Sequence, residues 1–512
     1  MMKEITPSTL FILLAAQQTS SEMHNDCDCA CVISTSFCAI KVSEVAFRKR
    51  TTAPYLVCLT SEHYFLWLNG GARGSVVLNQ TAKKNLDVFT APITLSEAAQ
   101  CLQGVLPARF EKIAHNFIPI GLIESEQEVD CACALSKESR LVSYSVDFNS
   151  LTSWLHLTDR CNLRCDYCYL PHVREDMASE TGRAAVDATF RSALANGFKQ
   201  VKLKYAGGEP LLRFPLIVEL HQYAQSLAHR HGIELEGVVL SNGTLLTVEM
   251  IETLKSLGLR LMISLDGLGA HHDLHRRYAG GRGSFADVAE AVDLALVNGL
   301  TPSISVTVSG RTAAGLPDVM AWILERELPF SLNFYRENEL SAAHGDMRLE
   351  EQKIIEGMLA AFKVIENNLP RRPFLGGIID RANLSASHTH TCGVGQNYLV
   401  FDQNGQVAKC QMHIRKPVTD MNAEDPLAVI RLDQAGVQNI SVDEKEGCKS
   451  CEWKYWCAGG CSLETYRATG RYDVKSPNCN IYKALFPEAL RLEGLRLLKY
   501  QDDPEVVQKI VA

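Results

Sequence analysis

The sequence predicts an α/β protein built on a partial (β/α)6 TIM-like barrel, with a small α+β module before it and a cysteine-rich domain after it. Three observations predict this. From about residue 150 short β-rich runs alternate with helical patterns, polar punctuation follows those runs, and cysteines crowd residues 386–482, where long periodic helices vanish. A chain of 512 residues exceeds one ordinary core and calls for two to four domains.

Residues 1–45, rich in Ser and Thr, are expected to be irregular. In 46–125, YLVCLTSEHYFLWLN reads as strands, VVLNQTAKKNLDVF as a helix behind a polar cap and ITLSEAAQCLQ as a second helix. FEKIAHNFIPIGLIE then predicts a third helix and a short strand. Between 150 and 345 six strands are expected, in WLHLTD, KQVKLKYAGGE, EGVVLSNG, RLMISLDG, PSISVTVS and FSLNFY. Helical patterns such as AAVDATFRSALANGF separate most of them, which implies right-handed parallel β/α units. The punctuation TDRCN, GGEP, SNG and SLDG falls at the carboxyl ends of strands, the rim where barrel enzymes carry their chemistry. Linking helices are expected over 346–385, a metal-organised region over 386–482, and an amphipathic helix over 483–512.

Composition bounds the function. The 46% hydrophobic and 21% charged content is that of a globular protein, and a net charge of −8 with interspersed signs offers no basic face for nucleic acid or an anionic membrane. No apolar run approaches the roughly 20 residues that cross a bilayer. TLFILLAA resembles a short signal-peptide core, but Glu4 stands in the flank that should be basic and no cleavage site follows, so a cytoplasmic location is expected. Eighteen cysteines mean either disulfides or metal sites, and spacing decides between them.

The sharpest signal is Cys161-Asn-Leu-Arg-Cys165-Asp-Tyr-Cys168, directly after the first barrel strand. Three thiolates on one loop hold three irons of a cubane cluster and leave the fourth open to a small molecule. A zinc loop would favour paired CxxC knuckles instead. With Tyr167 before its last cysteine, the loop resembles that of the radical S-adenosylmethionine superfamily, and the later rim motifs extend the resemblance. The resemblance implies a 4Fe–4S cluster that binds S-adenosylmethionine and cleaves it reductively, with electrons from a partner such as flavodoxin or ferredoxin. It also implies that Gly207, Gly208 and Glu209 set backbone against the methionine amino group, that Ser264 and Arg276 contact ribose or carboxylate, and that Asn242 lines the pocket. Glycines permit close backbone approach, and Arg matches a carboxylate bidentately.

Seven further cysteines lie between 392 and 479 in a region with little other means of building a core. Their order, Cys392, Gly405, Cys410, Cys448, Cys451, Cys457, Cys461 and Cys479, resembles the SPASM extension of some radical enzymes. That resemblance implies one auxiliary 4Fe–4S cluster on Cys448, Cys451, Cys457 and Cys479, and a second on Cys392, Cys410 and Cys461. The second lacks a fourth thiolate, so either an open iron or a non-cysteine ligand is expected. His388 and His390 are nearby, though a loop histidine is more often solvated. The cysteines of DCDCAC (Cys27, Cys29, Cys31), Cys131 and Cys133 read as free or incidental.

The module at 46–125 resembles the small winged-helix peptide-recognition domain of ribosomal-peptide maturation enzymes, which binds a leader peptide by adding it to a sheet edge. A ribosomal precursor peptide is therefore the expected partner, crosslinked through a carbon–carbon, thioether or ether bond. Two other substrates fit the extension: a sulfatase oxidised to formylglycine, and an enzyme subunit to be crosslinked. In the sulfatase family an Asp base follows the second extension cysteine, whereas Gln411 follows Cys410 here. A non-catalytic iron–sulfur electron carrier would need four ligands on the 161–168 loop and no nucleoside pocket.

Overall fold

The computed structural model describes residues 11–15, 46–49, 55–67, 75–101, 117, 122–125 and 149–511. Cys27, Cys29, Cys31, Cys38, Cys131 and Cys133, and the helix expected across FEKIAHN, lie outside the described residues.

The N-terminal part is α+β. Strands β1 (Phe11–Ala15), β2 (Ala46–Lys49), β3 (Tyr55–Cys58), β4 (His63–Trp67), β5 (Ser75–Asn79), β6 (Ile93–Thr94) and β7 (Ile123–Ser125) divide between two antiparallel sheets. The run VVLN, expected to be helical, forms β5. Val76, Val77 and Leu78 are all buried, as in a strand covered on both faces, and the helix starts only at Gln80, capped by the Asn79 side chain on the Ala82 N–H. The second helix, Leu95–Gln100, opens on a reciprocal capping box between Thr94 and Glu97.

Six parallel strands follow as expected: β8 (Ser150–His156), β10 (Gln200–Ala206), β11 (Glu234–Ser241), β12 (Arg260–Ser264), β14 (Ser303–Val308) and β15 (Phe330–Phe334). They pair in the order β8, β10, β11, β12, β14, β15. Leu151, Val201, Leu203, Val239, Ile263 and Val306 contribute to the buried core. Helices over Ser179–Ala195, Phe214–His231, Val248–Ser256, Phe285–Val297 and Leu316–Glu325 cover the sheet. Two short strands, β9 (Leu163–Cys165) and β13 (Arg276–Tyr278), pair with each other on the rim.

The sheet does not stop at β8. Strand β16 (Tyr398–Phe401) pairs parallel to β8 on its free side, and β17 (Gln406–Ala408) and β18 (Thr419–Asp420) continue antiparallel, giving nine strands. Of the expected linking helices, the described structure contains one, Glu351–Asn367, followed by turns. The tail is not helical throughout. A helix over Cys479–Lys499 gives way to β19 (Val507–Val511), which pairs with β1 and forms one edge strand of the N-terminal sheet. The stretch 1–45, expected to be irregular, therefore contributes a strand, because Phe11–Ala15 finds ladder partners on both sides. No helix among the described residues is long and apolar enough to cross a membrane.

Candidate active site

The site is built where the carboxyl ends of β8, β10, β11 and β12 meet. His156, the last residue of β8, is buried and pairs through Nε2 with the Asp159 carboxylate at 2.7 Å, and Arg415 reaches the other Asp159 oxygen at 2.8 Å. This fixes the root of the loop carrying Cys161, Cys165 and Cys168 and ties it to the segment that follows Cys410.

Gly207 and Gly208 are required by that same loop. A Cβ on Gly207 would lie 2.5 Å from the Thr158 carbonyl oxygen, and one on Gly208 would lie 2.3 Å from that of Arg160. The Gly208 and Glu209 N–H groups donate to those carbonyls at 2.7 and 2.8 Å. The glycines thus let the β10 rim lie directly against the cluster loop. Glu209 is wholly buried, and its carboxylate accepts from the Leu211 N–H, the Ser241 hydroxyl and the Asn242 N–H at 3.0, 2.7 and 2.8 Å. Burial raises its pKa against these three donors. Asn242 turns its amide Nδ2 toward Cys161 Sγ at 3.8 Å and donates to Asn162 at 2.9 Å, so it stands against the cluster loop.

Arg276 reaches the cluster loop through its backbone as well as its side chain. Its β13 position is paired with Cys165 on β9. Its guanidinium, however, is committed to a partner the sequence reading missed: Nε donates to Asp266 at 2.7 Å. The same Asp266 oxygen accepts from the Tyr167 hydroxyl at 2.5 Å, the other accepts from the Thr307 N–H at 2.8 Å, and the guanidinium lies 5.4 Å over the Tyr167 ring. Burial alone would raise the Asp266 carboxyl, but Arg276 and the neighbouring histidines hold it below its ordinary value. Tyr167 is pushed well above its ordinary value, first by burial. The signal for Asp266 was present in ISLDG, a carboxylate two residues past a strand end. Ser264 ends β12 half-buried, with its backbone paired to Ser305. Asn338, beyond β15, holds the Tyr167 carbonyl at 3.0 Å.

The three loop thiols suit an iron cluster chemically. Burial, with Glu209 next, pushes Cys161 up to about 11, and burial raises Cys165 and Cys168 as well. Such thiols ionise readily only when a metal cation supplies the compensating charge.

The seven later cysteines separate into two sets. Cys448, Cys451, Cys457 and Cys479 line one pocket together with Trp453 and Tyr482. Cys392, Cys410 and Cys461 pack in one apolar cluster with Cys168 of the barrel loop. Burial pushes Cys410 and Cys457 up to about 12. Among the described residues no three Cys, His, Asp or Glu side chains converge on the position of a single ion. Thiols spread around a cavity suit a multi-atom cluster better than one zinc. His388 is buried rather than solvated, with Nδ1 at 3.2 Å from the Ala386 carbonyl and its pKa lowered to about 4 by burial. His390 pairs with the Thr389 hydroxyl at 3.0 Å.

Known proteins bear on this geometry. Residues 155–323 match the model of the radical SAM superfamily. The chain is similar to the Fe-coproporphyrin III synthase of Methanosarcina barkeri, at 24% identity over 67% of this chain and 91% of that protein. It is also similar to the serine-type anaerobic sulfatase-maturating enzyme of Klebsiella aerogenes, at 26% identity over 59% and 76%. Among solved structures, native anSMEcpe with bound AdoMet and the Cp18Cys peptide shares its fold over 67% of this chain and 98% of that one, with a TM-score of 0.54 and 20% identity. The matched residues span the strands that carry Cys161, Glu209 and Asp266, so residues 155–323 are a radical SAM domain, and the relatives named are enzymes.

Proposed function

We propose that the chain modifies a ribosomally made peptide, joining two of its side chains after a hydrogen atom is removed from an unactivated carbon. The observation that carries the reading is an N-terminal sheet whose outer strand within 46–125, β3, has no neighbour on its far side among the described strands, with β19 as the outer strand of the opposite edge. A peptide added along Tyr55–Cys58 would gain main-chain hydrogen bonds in the way leader peptides are held by such sheets. That edge, and the winged-helix-like character of 46–125, support a leader-binding module.

Cys161, Cys165 and Cys168 would hold the 4Fe–4S cluster and leave one iron for S-adenosylmethionine. Once bound, that pair supplies the chemistry: one electron splits the sulfonium into methionine and a 5′-deoxyadenosyl radical, which takes the substrate hydrogen. The protein's own work is positional. Glu209 locks the ends of β10 and β11 together, Asp266 holds Tyr167 and Arg276 in one orientation, and Asn242 fixes the wall beside Cys161. Gly207, Gly208, Ser264 and Arg276 remain the residues we assign to the nucleoside and methionine contacts. Holding the reacting carbon still against one hydrogen accounts for much of such catalysis.

We assign Cys448, Cys451, Cys457 and Cys479 to one auxiliary 4Fe–4S cluster and Cys392, Cys410 and Cys461 to a second. The cavity and the apolar grouping of these thiols support the division. Their role would be to take the electron left when the new bond forms.

A second reading, oxidation of a sulfatase residue to formylglycine, draws on the likeness to the Klebsiella aerogenes enzyme. Against it stands Gln411, an amide that accepts from the Tyr398 hydroxyl at 3.2 Å and offers no proton acceptor of carboxylate strength. Co-expression with short peptides encoded beside this gene, followed by mass measurement, separates the readings. A loss of two hydrogens in a peptide supports crosslinking; unmodified peptides and a converted sulfatase would reject it.

A further inference from the structure

Lys445 is wholly buried, a rare situation for a lysine without a carboxylate beside it. Buried Lys409, by contrast, pairs with Asp433 at 2.9 Å. Among the described residues no Asp or Glu pairs with Lys445; its Nζ donates to the Ala458 carbonyl at 2.9 Å. Its stem lies against Gly459, where a Cβ would come within 2.6 Å of Cδ and 3.0 Å of Nζ.

What surrounds this ammonium is the joint between the two thiol sets. Ala458 and Gly459 form a left-handed turn, φ 44° and 76°, between Cys457 of the four-thiol set and Cys461 of the three-thiol set. The Cys448 N–H donates to the Lys445 carbonyl at 3.1 Å. Thr391, next to Cys392, donates to the same Ala458 carbonyl at 3.0 Å and to that of Gly460 at 2.7 Å. Burial lowers the Lys445 pKa, and the groups that oppose this are Cys448 and Cys457 from one set and Cys392 and Cys461 from the other. A buried cation needs an anionic counterpart, and the thiolates of both sets are the ones on hand.

We propose that Lys445 is a positioning residue shared by both auxiliary sites, whose single fixed charge raises the reduction potentials of the two clusters together. The inference rests on the assignment of clusters to these two sets. Net charge and hydrogen bonding around a cluster set its potential, and a nearby cation favours the more reduced, more negative state. Because one ammonium serves both sites, neither cluster's potential would be set independently of the other.

The test uses the full chain, reconstituted with iron and sulfide, as wild type, Lys445→Gln and Lys445→Met. Gln keeps a donor for Ala458 and removes the charge, whereas Met removes both. Iron is counted, and the midpoint of each cluster is followed by EPR during a redox titration. Full iron with both auxiliary midpoints shifted to more negative values in both variants is the expected result, with the signal of the S-adenosylmethionine site as internal reference. Unchanged midpoints at full iron, or a shift at only one set, would overturn the proposal. So would a shift in Met alone, which makes the hydrogen bond the cause, or iron loss in both variants, which makes Lys445 a structural staple. A wild type holding only about four irons would instead remove the auxiliary clusters themselves.

Discussion

Gly208 has no room for a side chain, because the Arg160 carbonyl oxygen occupies the place a Cβ would take, 2.3 Å away. Gly208→Ala must push the β10 rim off the cluster loop, at a cost of about 1–3 kcal/mol typical of overpacking. We expect 5′-deoxyadenosine formation to drop about tenfold or more, corresponding to ~1.4 kcal/mol or more in the barrier; unchanged formation in a folded variant would contradict the role given to the glycine. Asp266 is the more severe position. Asp266→Ala leaves the Arg276 guanidinium buried without its partner, and breaking a buried pair from one side costs about 3–5 kcal/mol. Tyr167→Phe removes one hydroxyl from the same carboxylate and should cost only about 1 kcal/mol. Urea denaturation of the two variants checks the order, and equal losses would refute it. The cysteines of the site were legible from spacing alone, since a short loop fixes which thiols share a cluster. Asp266 was not, because a carboxylate after a strand is common, and only the fold brings Arg276 and Tyr167 to it. Lys445 was invisible for the same reason: nothing in its neighbours announces a buried ammonium.

At the scale of elements, the six barrel strands were legible because each β-rich run has turn residues behind it and most have a helix between them and the next. The extension of the sheet by β16 was not. Its pairing with β8 joins Tyr398 to Thr152, a separation no local pattern encodes. The same holds for β1 and β19, short strands from opposite ends of the described chain. The helix Cys479–Lys499 links these regions, since Gly494 lies so close to the N-terminal sheet that a Cβ would meet Leu59 at 2.8 Å and Phe65 at 2.9 Å. Strand β3 carries a separate expectation. Cys58→Pro places a ring, and no N–H, on the edge assigned to the leader, because the Leu59 N–H donates to the His63 carbonyl and the alternating ladder therefore turns that of Val57 toward β4 and that of Cys58 outward. Leader affinity should fall by about tenfold or more, equivalent to ~1.4 kcal/mol, with nucleoside formation in the absence of peptide unchanged. Titration calorimetry with the precursor peptide measures the first, and undiminished affinity would move the leader to another surface.

The whole molecule carries a pH signature from its barrel. Burial lowers His221 and His272 to about 4, whereas in an unfolded chain they titrate near 6.5. Between those values the unfolded state binds more protons than the folded one, so stability is full above about pH 6.5 and falls as acid is added, by up to about 3 kcal/mol for each histidine once the pH is well below 4. Because buried Glu464, raised to about 7, acts in the opposite sense, the histidine contribution is isolated by comparing urea midpoints of wild type and His221→Gln from pH 7.5 downward. The wild type should lose more stability than the variant on acidification, and identical pH dependence would contradict the burial of this ring. The account as a whole depends on an iron of the Cys161, Cys165 and Cys168 cluster that no protein atom ligates. The most direct measurement is the EPR spectrum of the reduced, reconstituted enzyme with and without S-adenosylmethionine, with 5′-deoxyadenosine assayed in the same sample. The account predicts that the signal shifts on addition and the nucleoside accumulates, and that both effects vanish in Cys165→Ala. An unshifted spectrum with no nucleoside, from protein whose loop cluster is fully loaded, would contradict it.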